Sequence, residues 1–422
     1  LEVKKVPFTS SFFTTSLLIV LLVMSGCSAD RSTRFPVQSG TDDLPEIVFA
    51  YREDQPSPDL PDVENAINRI VSLKLSARIR LLPIQKDNYY QQIQLMMLKK
   101  EAIDLFVTTN SPINNSMITK GQVLPLNNLI RQYAPDIQNS IEPEILSILK
   151  VDGDLYSIPS IRDWAAGNGI IMRKDLLEKH QFHTGDIHTL DDLEEIFQTI
   201  KTRENGIYPL VPLHSPSIYT GIKSGTFDSL GNRLGVLPDF IHSLKVVNLF
   251  ETMQYEEDIR RIHRWYNAGY IPRDAAISTD NGRELIKTGK GFAYFSTIKP
   301  GVEEQESRLT GMPMIVVPLT EPVMTSYNIM VFGMSLAAQS KHPDKAMEFL
   351  NLLYSDASLI NLLNYGIEGK HYIKVTKQSI AYPAGKNIHN VGYWFSNYEV
   401  GNQFLSYIWK SDKPDIDMLP IQ

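Results

Sequence analysis

The chain has 422 residues, a formal net charge of −7 and one cysteine. A single cysteine excludes a disulfide-stapled scaffold, and without a basic run there is no surface for nucleic acid or anionic lipid. The length exceeds what one hydrophobic core usually supports, so two lobes are expected.

The N-terminus is tripartite. Lys4 and Lys5 are followed by the apolar run Leu17–Met24 and then by Ser25-Gly26-Cys27. This is the layout of a secretory signal over residues 1–26, and the run is far short of the ~20 residues that span a bilayer. Met24-Ser25-Gly26-Cys27 resembles a bacterial lipobox, with Met24 where that motif usually has leucine. The resemblance implies that the Cys27 thiol is acylated and becomes the membrane anchor. The competing reading is an ordinary signal cut beside a cysteine. Against it, an exposed unpaired thiol would be a liability, whereas a lone cysteine just after the apolar run makes sense as an attachment point. Glu2, Lys4 and Lys5 leave the signal at net +1, so the remainder carries about −8. Residues 27–44 are polar and aperiodic, a tether holding the body roughly 20–25 Å from the lipid.

The body opens with a β-type run, Glu46–Tyr51, and a proline-containing loop. Asp62 can cap a helix whose Val63, Ala66, Ile67 and Ile70 keep helical spacing. Strands follow at Ala77–Leu82 and Ile103–Thr108, with a helix around Tyr89–Lys99 between them. This alternation predicts an α/β fold with a parallel sheet, whose strand ends carry ligands. Further strands are expected at 169–172, 291–295, 314–317 and 329–334. Helices are expected at 174–179, from a capping Thr189, at 257–267 and at 344–354.

Five segments in order carry a further resemblance: Gly121–Ile130 with Tyr133–Asp136, Val151–Pro159, Gly169–Leu177, Trp265–Pro272 before Gly289-Lys-Gly-Phe-Ala293, and Ser340–Leu350. Together they resemble the extracellular solute-binding proteins of ABC importers, in the group that includes sugar and oligosaccharide binders. The resemblance implies a two-lobed, type II periplasmic-binding-protein-like fold with two or three crossover hinge strands. Lobe one would comprise 45–159 plus 317–354, and lobe two 160–316 plus 355–422. Relatives continue past their counterpart of Gly401–Phe404 with a further segment, so a truncated C-terminus is an expectation. The implied role is capture of a small solute, a carbohydrate by preference, and its delivery to permease subunits. It implies a monomer with no cofactor and no catalytic residue. A lipid-anchored glycoside hydrolase and a ligand-presenting sensor remain as alternatives.

A sugar offers C–H faces and hydroxyls, so its site wants aromatic platforms and planar hydrogen-bonding groups. Trp164, beside Arg162 and Asp163 in the expected crossover, sits in polar, glycine-containing sequence rather than an apolar run. Tyr51 and Arg52 end strand one, with a surface salt bridge as the alternative. Asn110 follows strand three, and Tyr327-Asn328 lie in the return crossing. Trp394 is either a platform or part of an aromatic packing cluster with Tyr393 and Phe395. Trp265, in helical register with Ile262, reads as core. His180, His183 and His188 fit no closed tetrahedral metal pattern and read as a solvated loop. Lys287-Thr-Gly-Lys290 lacks P-loop order, and Asp191-Asp192 and Glu256-Glu257 sit at helix N-termini, where the dipole explains them.

Overall fold

The computed structural model describes residues 44–109, 112–213, 217–222, 227–230, 234–278 and 280–410. The signal, Cys27, the tether up to Asp43, and Asn110 lie outside the described residues.

Ile47–Tyr51 is a continuous apolar run, buried throughout, as a strand covered on both faces requires. Strand Glu46–Glu53 pairs in parallel with Arg78–Gln85 and Leu105–Thr109. Parallel pairing needs long crossovers, and helices Leu60–Leu75 and Tyr89–Lys99 supply them. Leu60–Leu75 turns Val63, Ile67 and Val71 inward. Two later strands complete this sheet: Phe332–Leu336 pairs antiparallel with Leu105–Thr109, and Ile158–Pro159 with Phe332–Leu336.

A second sheet is built on Ala165–Arg173, antiparallel to both Met314–Pro318 and Gly291–Ile298. Tyr208–Leu210 extends it in parallel. Its core holds Phe197, Trp265 and Phe295, with Trp265 only 1% exposed. Trp265 is therefore core, as its helical register with Ile262 implies.

The structure redraws the lobe boundaries. Met314 and Val317 belong to the cores of the second sheet, so the return to lobe one comes after Pro318 rather than at 317. Residues 355–410 do not cross to lobe two. Helix Ala357–Tyr365 packs on Leu60–Leu75 and on Pro343–Ser355, and Leu359, Ile360, Leu363, Tyr393, Phe395 and Val400 all join the first core. Among the described residues the chain thus passes between the sheets twice, within 159–165 and within 318–332. Apolar helix faces at 343–355 and 357–365 bury each other at once, and that local packing keeps the C-terminal segment on lobe one.

Local differences have local causes. The strand expected at 329–334 is displaced to Phe332–Leu336, because Thr325 accepts from the Asn328 N–H and turns Ser326–Met330 into a short helix. Thr189 does not cap. Instead Asp192 accepts from the N–H groups of His188 and Thr189, and the helix starts at Leu193. Asp59, not Asp62, stands at the N-cap of Leu60–Leu75. His180 is no solvated loop residue: its ring is buried 2.6 Å from Glu204.

Gly401 has a φ of +66°, and a Cβ there would lie 2.5 Å from the Leu353 carbonyl oxygen. Gly401→Ala should therefore lower stability by about 1–3 kcal/mol, read as a lower urea midpoint with unchanged slope. An unchanged midpoint would mean that the C-terminal segment is not docked on lobe one.

Candidate functional site

Between the two sheets lies a cleft of about 2150 Å³. Its lobe-one side comes from the end of strand Glu46–Glu53, which projects Arg52, and from the C-terminal segment 357–410. Its lobe-two side comes from Ala276–Ser278, from Asp280 and Asn281, from Arg283 and Glu284 in helix Gly282–Lys287, and from Lys299 to Leu309, most of which is helix Val302–Thr310.

At the floor the crossings meet. The Arg52 guanidinium lies 3.2 Å from Glu399 Oε1, and the Arg52 and Arg162 guanidinium carbons each lie 5.6 Å from the Phe332 ring centre. Arg162 Nη2 donates to the Asn328 carbonyl at 2.9 Å, joining the two crossings. Lys299 Nζ lies 5.8 Å from the Tyr398 ring centre, and burial holds this lysine below its usual range against the pull of Asp163. Glu399 is 2% exposed, and burial pushes its carboxyl up to about 7 although Arg52 opposes the rise.

On the lobe-two wall Arg283 grips Glu306 with two bonds, Nε–Oε2 at 2.6 Å and Nη2–Oε1 at 2.8 Å, and the Tyr294 hydroxyl donates to Oε2 at 2.7 Å. Burial alone would raise Glu306, but the bonds and charge of Arg283, with the bonds from Tyr294 and Gln305, together hold the carboxyl low. The opposite wall is aromatic and amide: Tyr365, Tyr382, Trp394, Tyr398, Tyr407 and Trp409, with Asn361, Asn364 and Asn397.

Arg52 and Trp394 therefore line the cleft, and the other expected site residues that the structure describes stand elsewhere. Tyr51 is 1% exposed, in the first core against Phe49 and Phe395, so it offers nothing to a ligand. Trp164 packs on the edge of the first core and donates its indole N–H to the Ser160 carbonyl at 3.0 Å. Arg162 and Asn328 hold each other, and the Tyr327 N–H donates to Asp228. These polar residues join the crossings, which explains why they occur in polar sequence. Sequence reasoning missed Phe332, Lys299, Glu304, Arg308, Tyr382 and Trp409. They come from both lobes, and only the fold brings them together. Among the described residues, no group of three or more His, Cys, Asp or Glu could hold a metal ion.

Two α/β lobes joined by two crossings, with an aromatic-lined cleft between them, define a two-lobed ligand-capture protein. The chain belongs to the bacterial extracellular solute-binding protein family, whose pattern matches residues 78–359. The family is extracytoplasmic by its description. A carbohydrate ABC transporter substrate-binding protein of Streptococcus pneumoniae is 25% identical over 370 residues, covering 86% of this chain and 73% of the relative. The crystal structure of the N-glycan transport solute-binding protein NgtS from the same species matches with a TM-score of 0.75 at 23% identity, covering 88% of this chain and 80% of that one. A second crystal structure, an extracellular solute-binding protein of Bifidobacterium longum subsp. infantis, matches with a TM-score of 0.62 at 16% identity, covering 87% and 79%.

The raised Glu399 carboxyl has a pH signature. Its folded value of about 7 exceeds the ordinary 4.5, so the folded state binds the proton more tightly. This contribution is fully present below pH 4.5 and is lost as pH rises to 7, amounting to roughly 3 kcal/mol. Glu399→Gln should flatten that part of the stability profile, measured by denaturation at stepped pH. A slope identical to wild type would refute the assignment.

Proposed function

We propose that this chain captures a carbohydrate of several sugar units in the cleft and delivers it to the permease of an ABC importer. We also propose that a lipid on Cys27 holds it at the membrane. The observation that carries the ligand reading is the cleft wall. Aromatic and amide side chains line a space of about 2150 Å³, against roughly 300–1,000 Å³ for a usual small-molecule pocket. C–H faces of sugars stack on such rings, while their hydroxyls pair with amides, carboxylates and guanidinium groups. The names of the relatives support the same reading: one is a carbohydrate ABC transporter substrate-binding protein, and NgtS was crystallised with Man5GlcNAc.

Capture without chemistry is favoured over hydrolysis. Of the acidic groups buried beside the cleft, Glu306 is bound by Arg283, Glu399 lies against Arg52 and Glu53 accepts from Gln85. Such partners occupy these carboxyls rather than leave a pair free to work across a glycosidic bond. Ligand held between both lobes stabilises the closed arrangement, so affinity follows the closed population.

A thermal-shift screen of the soluble chain beginning at Ser28 should show stabilisation by oligosaccharides and none by peptides or polyamines. Stabilisation by peptides alone would overturn the ligand class. In cells fed labelled fatty acid, Cys27→Ala should abolish incorporation, and undiminished labelling would remove the anchor.

A further inference from the structure

Helix Val302–Thr310 carries Glu304 and Arg308 four residues apart, hence on one face, and both line the cleft. Arg308 lies within electrostatic reach of Tyr382, Glu304 and Tyr365, so this face of the second lobe looks onto the C-terminal wall of the first. There Tyr382 and Trp409 are stacked, with ring centres 4.1 Å apart and planes at 28°. Beside them Asn364 is 3% exposed. Its Nδ2 donates to Ser406 Oγ at 2.7 Å, while its buried Oδ1 has no hydrogen-bond partner. A stacked platform, a buried acceptor without a donor, and the neighbouring carboxylate and guanidinium of one helix face thus line the same cleft.

Each cation of the cleft interior has an acid nearby, and buried Glu53, which accepts from Gln85, adds a further acid. Lys86 lies 3.0 Å from Asp54, Arg52 3.2 Å from Glu399, and Arg283 2.6 Å from Glu306. Asp163 acts on Lys299, and Glu304 acts on Arg308. The other lining lysines, Lys377 and Lys410, are exposed, as are Asp87, Asp280 and Glu284. Among the described residues no cation in the cleft interior is left without an acid nearby, so the interior offers an acidic ligand no cation free of a neighbouring carboxyl.

We propose that this part of the cleft is a subsite for one uncharged sugar unit, held between the Tyr382–Trp409 platform and the Glu304–Arg308 pair, and that the cleft selects neutral over acidic glycans. The proposal rests on the carbohydrate reading above and narrows it. Adjacent hydroxyls of a neutral sugar donate to the carboxylate and to Asn364 Oδ1 and accept from the guanidinium. A uronate or sialate carboxylate would instead meet a cation already matched, with Glu304 repelling it.

The test is calorimetric titration of the mature chain with neutral oligosaccharides and with their uronate- or sialate-capped counterparts. Neutral forms should bind more tightly. Arg308→Ala and Tyr382→Ala should each weaken them about tenfold. Tyr382→Phe, which keeps the ring, should stay near wild type. Glu304→Gln should narrow the gap between neutral and acidic forms. Equal or tighter binding of the acidic forms, or wild-type affinity in folded Arg308→Ala and Tyr382→Ala, would overturn the subsite while leaving the carbohydrate reading standing. Wild-type protein that binds no glycan at all would overturn that reading itself.

Discussion

The Phe332 ring is the point on which the two lobes are joined. Its backbone begins a strand of the first sheet, and its ring has Arg52 and Arg162 at 5.6 Å each and Tyr398 edge-on at 5.3 Å. Those neighbours come from strand Glu46–Glu53, from the first crossing and from the C-terminal segment. Four stretches distant in sequence therefore share one ring. Each cation–π contact contributes about 0.5–2 kcal/mol, which is modest singly, but Arg162 also bonds the second crossing through Asn328. The crossings are thereby tied side by side, and any change in the angle between the lobes must turn about this knot.

Buried charge beside the knot does something that apolar packing could not. Replacing buried ion pairs by hydrocarbon is often neutral or stabilising, so their use here is better explained by orientation than by stability. Arg283 and Glu306 fix the wall behind helix Val302–Thr310, and Tyr294 supplies the third bond to the same carboxylate. Arg52 and Glu399 join the first strand to the C-terminal segment across the cleft floor. In both cases a directional contact sets where a cleft side chain stands.

The fold was largely legible because its signals are local. The apolar run Ile47–Tyr51, the helical spacing of Val63, Ile67 and Val71, and Trp265 with Ile262 each carry their own periodicity or packing logic. The lobe boundaries were less legible, since helix Ala357–Tyr365 could in principle cover either sheet and only its fit to Leu60–Leu75 decides. The site was least legible. Trp164 and Arg162 sit in polar sequence, which suits a ligand contact and a crossing equally well, and their bonds to Ser160 and Asn328 belong to the crossing. Tyr382 and Trp409 are 27 residues apart with nothing in their neighbours to mark them, and they meet only because two short strands, Ser379–Ala381 and Ile408–Trp409, pair in parallel.

That separation has a consequence for how the family scaffold carries specificity. The matched family pattern ends at residue 359, whereas Tyr365, Tyr382, Trp394, Tyr398, Tyr407 and Trp409 all follow it. The pattern covers most of both sheets and the paired crossings, which together make a clamp without choosing what it holds. The aromatic wall is delivered by a segment packed on lobe one and assembled from turns and two- or three-residue strands. Loops on a rigid scaffold can change without disturbing the core that supports them. On the proposed reading, the scaffold fixes where a ligand is captured, and the C-terminal segment, facing helix Val302–Thr310, decides its identity.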